Sequence, residues 1–436
     1  MKTFGKALLI FLNVCFLLTG LISGQPVIFE AQRLKNGLNI YYQKEADLKI
    51  TTIFFFFPGG QRLEPENKAG LSYLATRLMA EIPDEDKLSE LVAAGVNLSA
   101  GSRADFSFIQ LDCLSPSLEK ALKIISSSLR DPIFSGPRIE AVKKSLLSEA
   151  GKESCRLIDS AKICLRQQLF PDSPYSFSLF GTESSLKTIS KKDITKFYEK
   201  IFQPDNLSLV IISDLEKETI NSLIIKYFSG IKKPTRRLEL TAIAREVPAL
   251  SAGTRLNCDH YQGPSGAAVI VGYVFPGSVS EIYPQAYLIE KIIGEGPGSA
   301  LWHLRQESTL AYNLNSQLEV IGKKVILVAY LETESRLASS ALESLKAVFN
   351  RLSQNGFEVH EIETGKLLAR SSYLRESFSR DTRINRLALF LANNLPVDFY
   401  NQFLQTIDTL PPSALNNLVR STFRPEAAVE IVVAKD

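Results

Sequence analysis

Two periods of apolar residues alternate along this chain, and the same order of periods is met twice. Thr51–Phe57 is a continuous β-branched and aromatic run that ends at Pro58-Gly59; Ala267–Phe275 is a second, ending at Pro276-Gly277. Runs of this kind, closed by turn residues, predict buried strands. A helical period follows each, then further strands and paired helices. Within Leu186–Ser213 a helical period feeds Phe202, Pro204 and the apolar strand Leu207–Ile212. Ile407–Ala434 repeats this with Phe423, Pro425 and Ala428–Val433, each 221 residues further on. Phe134, Ile139 and Lys143 keep the spacing of Phe357, Ile362 and Lys366. Three matches in the same order, at offsets of 218 to 223, predict a duplicated domain.

Strands mixed with helices in each half imply an α+β fold: two homologous domains, each a largely antiparallel sheet with helices packed on one face. The 436 residues suit two domains of about 200 residues each. Lys232–Arg237 is polar, is interrupted by Pro234 and has no apolar period, which marks a linker. The expected division is an N-terminal domain over 25–231, a linker over 232–253 and a C-terminal domain over 254–436. Ahead of these, Lys2 and Lys6 precede an apolar run from Ala7 to Ile22 that leaves through Ser23 and Gly24. That pattern predicts a signal peptide over 1–24 and an exported protein, periplasmic where the host has an outer membrane. The run is slightly short of the roughly 20 apolar residues that span a bilayer, so membrane attachment is expected only if the segment stays uncleaved. A net charge of +3 with no basic block excludes a nucleic-acid partner.

Of five cysteines, Cys15 lies in the signal segment. Cys113, Cys155, Cys164 and Cys258 are sparse and show no Cys-x-x-Cys spacing. Reading 155–164 as one helix sets Cys155 and Cys164 about 13 Å apart, beyond the roughly 7 Å a disulfide tolerates. Four buried free thiols are therefore expected, despite the oxidising compartment that export implies.

The segment Phe57–Met79, FPGGQRLEPENKAGLSYLATRLM, resembles the opening motif of the pitrilysin and insulinase zinc peptidases, to which the mitochondrial processing peptidases and their bacterial relatives belong. Phe180–Ser213 and Ser299–Tyr312 are similar to later family segments, so the resemblance covers almost the whole chain after the leader. The family helix reads Gly-Leu-x-His-x-x-Glu-His-Met. Here its first histidine falls on Tyr73, its glutamate on Thr76 and its second histidine on Arg77. Two imidazoles one turn apart hold zinc, and the glutamate polarises the attacking water. Arg77 keeps its charge and repels a dication, and Thr76 is no base near neutral pH. The third family ligand, a glutamate on a later helix, has Glu149 as its best match, a relic of that ligand or a salt-bridge partner. The three histidines, His260, His303 and His360, have no metal-ligand spacing. No metal is expected in this chain.

In paired family members the resemblance implies a division of labour. One subunit carries zinc; the other lends an arginine and a tyrosine that hold the substrate backbone over it. The family pattern Leu-Arg-Glu-x-x-Gly-Leu-Ala-Tyr meets Leu304–Tyr312 here, with Arg305 and Tyr312 at the same seven-residue spacing and Thr309 in place of the glycine. Just upstream, Gly294, Gly296 and Gly298 resemble a shortened glycine-rich loop linked in the family to admitting substrate. The implied function is a non-catalytic subunit that binds unfolded peptide and completes the chamber of a two-chain zinc metallopeptidase. Its expected partner is a catalytic subunit of the same family with an intact zinc motif. The alternatives are a peptide-binding or scaffold protein of the cell envelope with no role in proteolysis, and an enzyme with a relocated metal site.

Overall fold

The structure, a computed structural model, describes residues 28–231, 255–258, 261–294, 296, 299–307 and 313–436. For Arg255, Asn257, His303 and Arg305 to Glu307 it describes the backbone alone. The leader over 1–24 and the linker over 232–253 lie outside the described residues.

The first half runs β1 (Glu30–Arg33), β2 (Asn39–Lys44), β3 (Ile50–Pro58), α1 (Leu71–Ala80), α2 (Glu85–Ala93), β4 (Asn97–Ser102), β5 (Phe106–Leu114), α3 (Leu118–Arg130), α4 (Gly136–Ser154), α5 (Leu157–Leu169), α6 (Glu183–Thr188), α7 (Lys191–Ile201), β6 (Ser208–Ser213) and α8 (Lys217–Phe228). Its sheet has the order β1-β2-β6-β3-β5-β4. The second half runs β7 (Arg255–Asn257), β8 (Gly266–Val274), α9 (Val279–Gly294), α10 (Ala300–Glu307), β9 (Asn313–Ile321), β10 (Lys324–Thr333), α11 (Ala338–Asn355), α12 (Val359–Glu376), α13 (Arg380–Ala392), α14 (Val397–Asp408), α15 (Pro412–Thr422) and β11 (Val429–Lys435). Its sheet has the order β7-β11-β8-β10-β9.

Without β1, the two orders are the same topology. The parallel pair falls in the same place in each, β2 on β6 and β7 on β11, and every other pair is antiparallel. The helices α4 and α5 reappear as α12 and α13, each beginning 223 residues later. The repeat in the apolar pattern is thus a repeat of whole sheets and helix pairs.

Strand β3 shows why the halves cannot stand apart. Ile53, Phe55 and Phe57 face the helices of their own half, beside Leu74, Leu78 and Phe228. Phe54 and Phe56 face the opposite way and are equally buried. A strand apolar on both faces needs two covers, and its own helices supply one. The second comes from α13 of the other half, whose Ile384 and Leu387 share one cluster with Phe54 and Phe56. The exchange is mutual. Helix α5 lies on the back of the second sheet, with Ala161, Leu165 and Leu169 against Ala268, Ile270 and Ile431. Polar contacts fix the pairing. Glu45 accepts from Arg380 and Arg383, and the buried Asp105 accepts from the Tyr175 hydroxyl at 2.6 Å and the Gly322 N–H at 2.9 Å.

This exchange corrects the cysteine reading. Residues 155–164 are not one helix: α4 ends at Ser154 and α5 starts at Leu157, because the chain turns there to reach the other sheet. The turn carries Cys164 onto the second half, where it forms a disulfide with Cys258, Cα atoms 6.5 Å apart. Cys113 is a buried free thiol as expected, pushed up to about 12 chiefly by burial. Cys155 is free but exposed rather than buried.

Candidate functional site

Helix α1 carries the degenerate motif, and its start is built by a buried acid. Gly70 sits at φ +90°, the left-handed region that glycine enters without strain, and a Cβ there would lie 3.0 Å from the Gly181 backbone. The Glu64 carboxyl, 5% exposed, accepts from the Gly70 N–H at 3.2 Å, the Ser72 N–H at 2.8 Å and the Ser72 hydroxyl at 2.6 Å. It thereby satisfies helix-start donors that otherwise have no partner. Burial raises Glu64 to about 8, against the pull of those hydrogen bonds.

From this start, Leu71, Leu74, Ala75, Leu78 and Met79 enter the core and fix how the helix turns. The three motif positions then fall as follows. The Tyr73 ring lies 5.2 Å from the Phe180 ring and reaches towards Gly101 of β4. Thr76 is fully buried, and its hydroxyl donates to the Ser72 carbonyl at 2.7 Å, so it is spent within its own helix. Arg77 crosses to α4, where its Nη1 donates to the Ser145 hydroxyl at 3.2 Å. Glu149 stands on the same helix α4. A hydrogen bond from Lys152, 2.8 Å long, is the main reason its carboxyl is held below the usual range, and the charge of Arg77 adds to this.

The frame of the family's metal site is therefore kept, while its contents are changed. A hydroxyl, a phenol and a guanidinium stand where a zinc site needs a base and two neutral imidazoles. The fixed positive charge of Arg77 faces the remaining carboxylate. These residues do not fit zinc. Among the described residues no group of three His, Cys, Asp or Glu side chains is placed to hold a metal ion.

The second half differs at the matching place. Helix α9 follows β8 as α1 follows β3, and its last two turns carry Tyr287, Glu290, Lys291 and Gly294. There a cavity of about 580 Å³ opens between α9, α10, the end of α12 and the edge strand β9. Tyr287, Trp302, Lys291 and the β9 segment Leu314–Leu318 line it. The Lys291 ammonium lies 3.3 Å from Glu290, 3.6 Å from Glu376 and 5.1 Å from the centre of the Tyr287 ring. Behind it, Arg386 donates to Glu376 at 2.6 Å and stacks 3.9 Å above the Tyr373 ring. The cavity thus has an aromatic wall and a charged floor whose members neutralise one another.

Gly294 and Gly296 both line this cavity. At Gly294 the reason for glycine is contact: a Cβ would lie 2.0 Å from the Ser316 hydroxyl of β9. Gly298 and Tyr312 lie outside the described residues, as does the side chain of Arg305, whose backbone sits in α10. The cavity residues Tyr287, Glu290 and Lys291 escape sequence reading, because only the packing of α9 against α10, α12 and β9 brings them to one cavity.

Fold and site together define a peptidase-like protein that has lost the residues of its own metal centre. Comparison with known proteins agrees. The family model described as "Insulinase (Peptidase family M16)" matches residues 40–183, and that described as "Peptidase M16 inactive domain" matches residues 188–368. A relative named non-peptidase homolog YmxG, from Helicobacter pylori, is 21% identical over 396 residues and covers 88% of each chain. The mitochondrial-processing peptidase subunit beta of Saccharomyces cerevisiae is 22% identical over 54% of this chain and 52% of its own. The crystal structure of a protease from Helicobacter pylori shares the fold with a TM-score of 0.84 at 16% identity, over 94% of this chain and 100% of that one. The chain belongs to the insulinase (M16) peptidase family and is a non-catalytic member of it.

Proposed function

We propose that this chain is the peptide-binding, non-catalytic subunit of a two-chain zinc metallopeptidase, exported from the cytoplasm and periplasmic where the host has an outer membrane. One observation carries the reading. The first-half motif residues Thr76 and Arg77 are engaged with Ser72 and Ser145, while α9, the helix after the matching strand of the second half, borders a cavity of about 580 Å³ lined by Gly294 and Gly296 beside a sheet edge. An extended peptide can pair with an edge strand through its backbone and set alternate side chains in a neighbouring pocket. In this reading Gly298 serves with Gly294 and Gly296 in admitting the peptide, and Arg305 and Tyr312 act on the substrate at zinc held by the partner. There their donors steady the carbonyl oxygen as it gains negative charge.

A heterodimer with an active member of the same family is in keeping with a relative that is itself named as a subunit. Export is in keeping with the Cys164–Cys258 disulfide, a bond that oxidising compartments favour. The test is reconstitution with a family member that carries the intact zinc motif. Arg305→Ala is expected to lower turnover of the mixed complex by roughly 10²-fold, with the complex intact on a sizing column. Unchanged turnover in an intact complex would remove the arginine from catalysis and favour the scaffold alternative.

A further inference from the structure

Among the described residues one disulfide joins the halves, and it sits at the end of the shortest strand. Strand β7 pairs with β11 at three positions, Arg255 with Glu430, Leu256 with Ile431 and Asn257 with Val432, and Cys258 adds one bond from its N–H to the Val432 carbonyl at 3.1 Å. β7 ends the sheet, so it covers that side of β11. Three parallel pairings are a slight hold, since a parallel ladder is weaker per residue than an antiparallel one. The residues that follow are held by the first half. The Gln262 N–H donates to the Ser154 carbonyl at 3.0 Å, and a Cβ on Gly263 would lie 2.4 Å from the Cys155 carbonyl oxygen. Leu256, Cys258 and Tyr261 pack against the cluster in which α5 meets the second sheet. Cys164 in the middle of α5 is bonded to Cys258 at the end of β7.

We propose that the Cys164–Cys258 disulfide is a redox-released clasp that keeps β7 on β11. While the bond is closed, the edge of the second sheet is covered. A dithiol reductant exchanges with it: the protein disulfide takes up two electrons and two protons to become two thiols, and the reductant leaves as its own disulfide. Residues 255–258 then come off, and the strand Val429–Val433 presents unpaired backbone groups along its edge. This inference is independent of the peptide cavity, which borders β9 at the opposite end of the sheet.

The test is hydrogen exchange on the full chain, oxidised, treated with dithiothreitol, and as the double variant Cys164→Ser/Cys258→Ser. Exchange in β7 and β11 is expected to rise about tenfold or more on reduction. Strands β3 and β5 should keep their protection, the double variant should match the reduced protein, and reoxidation should restore the slow rates. Iodoacetamide provides the control: Cys155 labels in both states, Cys113 in neither, Cys164 and Cys258 after reduction alone. Unchanged β11 exchange after both cysteines label would overturn the proposal. So would loss of protection across both sheets, which makes the bond a general staple.

Discussion

At the scale of single residues, this protein separates where a side chain sits from what it can do. Leu71, Leu74, Leu78 and Met79 of α1 keep the core contacts that orient the helix. Tyr73, Thr76 and Arg77 on its other positions carry no metal chemistry. The distinction is legible in sequence, because a guanidinium cannot become a neutral ligand in any fold. The acid that starts the helix is less legible. Glu64 stands in a polar stretch that reads as an exposed loop, yet it is buried. Its folded value, raised to about 8 by burial, lies above the ordinary 4.5. Folding then favours the protonated acid: the contribution is full below pH 4.5 and is lost as the pH rises toward 8. Glu64→Gln is neutral throughout and still accepts from Ser72. Urea midpoints taken at pH 5 and pH 8 should fall for the natural chain, by an amount on the order of a few kcal/mol in stability, and stay level for the variant. Parallel behaviour of the two proteins would place the pH dependence elsewhere.

At the scale of elements, the two copies of one topology have been put to different uses. Helix α1 turns Tyr73 towards β4 and Arg77 onto α4, and α9 meets β9 beside a cavity. The contact that sets α9 on β9 is Gly294 against Ser316. Gly294→Val drives methyl groups into that strand. Overpacking of this kind costs roughly 1–3 kcal/mol, so a lower melting temperature is expected. Weaker binding of an unfolded peptide, read by fluorescence anisotropy, is expected with it. If affinity survives the shift in stability, the glycine serves packing alone. The glycines 294, 296 and 298 stand out in the sequence, but a turn and a cavity lip share that pattern. At Gly294 the packed Ser316 distinguishes them.

At the scale of the whole molecule, the halves are locked by exchanged helices and a few buried charges. Glu45 loses solvation at the joint, which raises it, yet the hydrogen bonds from Arg383 and Arg380 outweigh this and hold it below 4.5. Its contribution is therefore present above pH 4.5 and lost as the pH falls through the lowered value. Because Glu45 is about a quarter exposed, the pair is worth less than a fully buried one. Arg383→Ala should cost about 1–2 kcal/mol near neutral pH, a gap that narrows as the pH falls through the lowered value of Glu45. Denaturant midpoints at pH 7 and pH 3 measure it; an equal loss at both would make Arg383 a packing residue. The sequence by itself determined the α+β class, the duplication and the loss at Tyr73, Thr76 and Arg77, because these follow from local periods and from the chemistry of individual side chains. The tertiary structure alone decided that α5 and α13 trade places, that Cys164 meets Cys258, and that a cavity opens beside α9. Each of these depends on residues far apart in the chain, and no local period records which face of a twice-buried strand another half will cover.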